Sequence, residues 1–148
     1  MIKTERFDLN TIDKLAKSLL KSFKTKTVLF YGEMGVGKTT LISSLLKELG
    51  SEEKATSPTF SIVNEYKLKN DIVYHFDFYR IKDAVEVLDI GIEEYLYSEN
   101  WIFIEWPEKI SAFLPKYFDI LDLKLNKDGT RTLKLSVSDE KSININNN

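Results

Sequence analysis

The chain has 148 residues, 43% hydrophobic and 30% charged, with a net charge of −2, as expected of one soluble globular domain. That balance excludes a global basic field able to recruit nucleic acid by charge alone. With no cysteine, disulfides, thiolate metal centres and cysteine nucleophiles are excluded together.

The opening MIKTERFDLN lacks the apolar run of a signal peptide, and no stretch approaches the ~18 apolar residues of a membrane helix, so a cytoplasmic location is expected. Helical period then appears at Ile12, Leu15, Ala16, Leu19 and Phe23, with Asn10 or Thr11 as N-cap. TVLFY, residues 27–31, is a short β-type run ending at a glycine, and predicts a buried strand. Leu41, Ile42, Leu45, Leu46 and Leu49 mark a helix closed by Gly50.

Further strands are expected in FSIVNEYKL, residues 60–68, and IVYHFDFY, residues 72–79. Asp83 is positioned to cap a short helix through Leu88, and a second short helix is expected from Ile92 to Tyr97. WIFIEW, residues 101–106, is another apolar run ending in an acid. FDILDLKL and RTLKLSV, joined by Asn126, Lys127, Asp128 and Gly129, predict a β-hairpin. A polar, asparagine-rich tail from residue 138 to 148 is expected to be disordered, leaving one domain over residues 1–137. The expected fold is α/β: a single P-loop NTPase-like domain with a mixed β-sheet, flanking helices and a C-terminal β-hairpin.

The decisive stretch is YGEMGVGKTT, residues 31–40. Gly32, Glu33, Met34, Gly35, Val36, Gly37, Lys38 and Thr39 satisfy the pattern G-x-x-x-x-G-K-[ST] between an apolar strand and an amphipathic helix. Glycines let backbone amides approach phosphate oxygens, and the helix that follows adds its free N–H groups and dipole. Lys38 is expected at the β- and γ-phosphates and the Thr39 hydroxyl at Mg²⁺. The chain is therefore expected to bind a nucleoside triphosphate with Mg²⁺.

Mg²⁺ on a triphosphate also needs an acid at the end of a neighbouring strand, and Asp77 and Glu105 each end an apolar run. The alternative for either is a solvated strand-end charge. Asn126-Lys127-Asp128-Gly129 has the wrong spacing for a guanine-reading N-K-x-D, which favours ATP. A small P-loop kinase is a further alternative, weakened by the presence of only Arg6, Arg80 and Arg131 and no arginine-rich lid. A non-enzymatic ATP-sensing module is the third.

Several side chains carry two readings. His75, the only histidine, reads as a structural strand residue or one supporting the site from behind. Trp101 and Phe103 read as core. Trp106, between Glu105 and Pro107, either packs or contacts the site. Arg131 either stacks on adenine or is a solvated hairpin charge, and residues 7–11 are a second candidate for touching the base.

GEMGVGKTT, SPTFSIVNEY, YHFDFYRI, DIGIEEYL and IEWPEKI occur in this order. Together they resemble the TsaE (YjeE) family, bacterial ATPases of tRNA threonylcarbamoyladenosine biosynthesis, from about residue 7 to residue 135. Glu33-Met34, Val36 and Phe78 depart from the residues usual in that family without touching its chemistry. The resemblance implies Lys38, Thr39 and Thr40 as phosphate-loop ligands, Thr39 and Glu105 as metal ligands, and Asp77 as a second functional acid near the metal water or attacking water. It implies Thr59 as a switch threonine near the γ-phosphate and Trp106 beside the site. It also implies TsaD-like and TsaB-like partners, which carry out the transfer that the ATPase supports.

Overall fold

Thr27–Tyr31 forms β2, and its first four residues are buried because both faces of the strand are covered. The computed structural model describes residues 3–56 and 62–138. Before β2 come β1 (Lys3–Phe7) and α1 (Ile12–Ser22); after it come α2 (Lys38–Glu48), β3 (Val63–Lys67) and β4 (Ile72–Asp77). Short helices α3 (Glu86–Asp89) and α4 (Ile92–Leu96) lead to β5 (Trp101–Glu105), a 3₁₀ segment (Pro107–Phe113), β6 (Asp119–Leu125) and β7 (Arg131–Val137).

The strands make one seven-stranded sheet in the order β1-β7-β6-β2-β5-β4-β3. β2 runs parallel to β5 and β6, and β4 parallel to β5, whereas β1–β7, β6–β7 and β3–β4 are antiparallel. The architecture is the expected α/β P-loop domain with its C-terminal hairpin. Successive strand residues face opposite sides. Val28, Phe30 and Phe103 join the cluster containing Leu15, Leu19, Leu41 and Leu45 of α1 and α2, while Leu29 and Ile104 join Phe76, Ile92 and Ile110 in the other. Phe30, Phe76 and Phe103 are fully buried, each worth roughly 1.5–3 kcal/mol in apolar area removed from water.

Local chemistry explains the element ends. α2 closes in a Schellman arrangement: the Ser51 amide donates to the Leu46 carbonyl and the Gly50 amide to that of Lys47, with Gly50 at φ +100°. Thr11 is the N-cap of α1, but its side chain caps nothing. Instead Asp8 Oδ1 accepts from the amides of Asn10 and Thr11, and the Asp8 amide donates to Thr11 Oγ1.

Some expectations shift. β1 is unexpected, because KTERF is polar at alternate positions and only Phe7 is buried; it is an edge strand defined by pairing with β7. The 3₁₀ segment after Pro107 is also unexpected. α3 begins three residues beyond Asp83, whose carboxylate accepts from the Val85 amide. The Ser138 hydroxyl accepts from the Phe118 amide and donates to the Lys116 carbonyl. The first residues of the strand expected from residue 60, Thr59, and residues 139–148 lie outside the described residues.

Candidate active site

β2, β4 and β5 run parallel, so their C-terminal ends lie at one edge of the sheet, where the chain leaves β2 through residues 32–37 into α2. Gly32 has φ +149°, and a Cβ there would lie 2.8 Å from Val36 Cγ1 and 2.9 Å from the Leu123 carbonyl oxygen. Only glycine passes that point without displacing the loop. Gly37, at φ +106°, is the N-cap of α2 and frees the first amides of that helix toward the cavity. Val36 turns its side chain into the core, while Met34 is exposed.

Lys38 opens α2 and is buried. Its ammonium donates to the Gly32 carbonyl and lies 3.8 Å from the centroid of the Trp106 ring. Burial lowers its pKa below the usual lysine value, with Glu105, Glu108 and Asp77 drawing it partly back. A desolvated cation resting on a carbonyl and a ring face is stabilised by an arriving anion.

Trp106 reaches that position through a left-handed backbone, φ 58° and ψ 48°, which reverses the chain between β5 and the 3₁₀ segment. Such a conformation costs on the order of 1 kcal/mol or more in a non-glycine residue. The Tyr79 ring supports the indole at 5.0 Å between centroids. Trp106 packs on Tyr79 and also lines the cavity beside Lys38.

The Thr39 hydroxyl meets the Glu105 carboxylate, 3.1 Å from Oε1 and 3.2 Å from Oε2. Asp77 and Glu105 are register partners on β4 and β5, so their side chains share a face about 4.8 Å apart at the backbone. Burial is the main cause that raises the Asp77 pKa, Glu105 adds to it, and a hydrogen bond from the Tyr79 amide (3.0 Å) opposes it. Two carboxylates and a hydroxyl are hard oxygen donors, and among the described residues no cluster of three acidic or histidine side chains forms an all-protein cage. That set fits Mg²⁺, which takes one or two carboxylates and completes its shell with phosphate and water oxygens.

A cavity of about 400 Å³ brings Gly35, Gly37, Lys38, Thr39 and Thr40 together with Met34. Asp77 of β4, Glu105 of β5, Trp106 just after β5 and Arg131 of β7 line it too. Glu33 does not line it; with Gly32 and Asp122 it lines a second cavity, which shares Met34 and Gly35 with the first. Phe7, Leu9 and Ile12 form an apolar wall of the first cavity. The Phe7 and Leu9 positions fall in the segment considered for the base; Ile12 carries no signal beyond its helical period.

Arg131 corrects the picture of a solvated hairpin charge. Its Nε donates to the Val36 carbonyl at 2.9 Å, fastening the last hairpin to the phosphate loop. His75 is fully buried, and its Nε2 lies 2.6 Å from Glu105 Oε2. The one sequence signal for that contact is its position two residues before Asp77, on the same strand face.

The family model described as threonylcarbamoyl adenosine biosynthesis protein TsaE matches residues 7–134. A protein of Haemophilus influenzae named tRNA threonylcarbamoyladenosine biosynthesis protein TsaE is 38% identical over 70% of this chain, and the match spans 66% of that protein, just under two thirds of its length. A protein of the same name from Rickettsia felis is 34% identical over 87% of this chain and 76% of its own. The crystal structure of YdiB from Bacillus subtilis superposes with a TM-score of 0.69 at 24% identity, covering 91% of this chain and 86% of that one, a likeness of fold. With the family model spanning most of the described residues, the chain belongs to the TsaE family.

Proposed function

We propose that this chain is a Mg²⁺-dependent ATPase acting in tRNA N6-threonylcarbamoyladenosine formation, the process for which its relatives are named. The observation that carries the ATPase reading is the buried Lys38 ammonium, with a carbonyl and an indole face as its contacts, beside the Thr39–Glu105 pair. A triphosphate supplies a directly contacting anion for this desolvated cation.

In this reading the amides of residues 35–40 and the Lys38 ammonium hold the β- and γ-phosphates. Thr39 and Glu105 would hold Mg²⁺, which when bound neutralises the charge developing on the phosphate oxygens. Asp77 accepts a hydrogen bond from the attacking water and orients it toward the γ-phosphorus. The water oxygen bonds to phosphorus as the bond to the β–γ bridging oxygen breaks, and a water proton passes to the released phosphate, giving ADP and inorganic phosphate. Thr40 and Trp106 close the rim, Arg131 fixes the loop, and Thr59 serves as the γ-phosphate switch residue.

Positive charge for the transition state is scarce. Arg6 lies at the hairpin beside Asp128, Arg131 is engaged with the Val36 carbonyl, and Arg80 is exposed. We therefore assign slow turnover to the chain alone and a changed rate to its assembly with TsaD-like and TsaB-like partners, since one supplied arginine is worth roughly 10³–10⁵ in rate.

Reconstitution tests the whole reading. Modification of tRNA by the purified partners is expected to proceed through repeated cycles only with this chain and ATP. Equal turnover without it, or with Lys38→Ala in its place, refutes the proposal.

A further inference from the structure

We infer that His75 is a positioning residue that holds the Glu105 carboxylate in place for the metal; this rests on the reading of Glu105 as a metal ligand. β4 and β5 pair Asp77 with Glu105, so His75, two residues earlier, projects from the same face and reaches Glu105 diagonally. Its Nε2 lies 2.6 Å from Glu105 Oε2, while the Thr39 hydroxyl approaches the same carboxylate at 3.1–3.2 Å. Glu105 is thus gripped from two elements, β4 and α2.

The imidazole has little freedom. It is fully buried and stacks on Tyr66, with ring centroids 6.3 Å apart and planes 26° from parallel. Tyr66 is fixed in turn, its hydroxyl accepting from the Thr56 amide at 3.1 Å. Among the described residues, His75 Nδ1 is buried with no hydrogen-bond partner.

A carboxylate only accepts, so Nε2 carries a hydrogen toward Glu105. An Nε2–H directed at Oε2 therefore fits the geometry. It orients the carboxylate from behind, which is what a metal ligand needs from the group that supports it.

The test uses Mn²⁺ in place of Mg²⁺, with ADP so that no turnover intervenes, read by electron paramagnetic resonance. His75→Leu removes the donor, and His75→Gln restores an N–H at about the reach of Nε2. His75→Leu is expected to weaken Mn²⁺ binding roughly 10–100-fold, His75→Gln to recover most of it, and both to bind metal-free ADP as wild type does. Wild-type Mn²⁺ affinity in His75→Leu overturns the inference, as does equal weakening in both variants or a parallel loss of metal-free ADP binding. Absence of Mn²⁺ binding in the wild-type complex overturns the metal reading itself. Since His75 is the only histidine, ¹⁵N spectra of the wild-type ring read the tautomer without any mutation. A hydrogen on Nε2 is expected; a bare Nε2 contradicts the inference.

Discussion

Thr39, the second residue of α2, and Glu105, the last residue of β5, share one hydrogen bond across 66 positions of chain. The contact exists because β2 and β5 are adjacent parallel strands: the loop leaving β2 returns a helix start to the end of its neighbour. It joins the phosphate loop to the acidic strand end, and the metal reading depends on it.

Replacing Thr39 by valine keeps the volume and removes the hydroxyl. Affinity for Mg²⁺–ATP is expected to fall about tenfold or more, with metal-free ATP binding nearly unchanged. Titration calorimetry with and without Mg²⁺ measures both. An equal loss in the two conditions would place Thr39 on phosphate rather than metal.

Glu105→Gln keeps shape and an acceptor for His75 while removing the charge. ATP binding is expected to survive in part, and turnover to drop by several orders of magnitude. Wild-type hydrolysis in this variant would reduce Glu105 to a structural strand end.

Asp77 gives a pH signature. Its folded pKa lies above the ordinary carboxylate value, chiefly through burial, so the charged form is disfavoured in the fold. That penalty is full above the folded pKa, shrinks as pH falls through it, and is gone below the unfolded value. Asp77→Asn is therefore expected to raise the melting temperature by at most a few degrees at neutral pH and to converge with wild type in acid. A stability gain that grows on acidification contradicts the assignment.

Arg131→Met removes the donor to the Val36 carbonyl and keeps much of the stem. Faster amide hydrogen exchange over residues 33–37 is expected, together with nucleotide affinity lowered several-fold. Unchanged exchange in the loop would mean that the contact restrains nothing.

The legible parts of the molecule are those where one local pattern decides. β2, β4 and β5 are apolar runs, the latter two ending in acids, and the phosphate loop has fixed glycine spacing between strand and helix. β1 is hidden because an edge strand with one buried residue has no apolar run; its pairing with β7 creates it. The hold of Arg131 on Val36 depends on β6 lying between β7 and β2, an order that no local pattern encodes. Likewise, the His75–Glu105 bond needs the register of β4 against β5, and a slip of one residue would turn His75 to the opposite face.

The most direct measurement is single-turnover hydrolysis of ATP by the purified chain, following inorganic phosphate with Mg²⁺ present. The account predicts slow phosphate release that stops when Mg²⁺ is chelated, is lost in Lys38→Ala, and changes in rate when the TsaD-like and TsaB-like partners are added. Phosphate release that persists in Lys38→Ala, or no release with Mg²⁺ and both partners present, would contradict it.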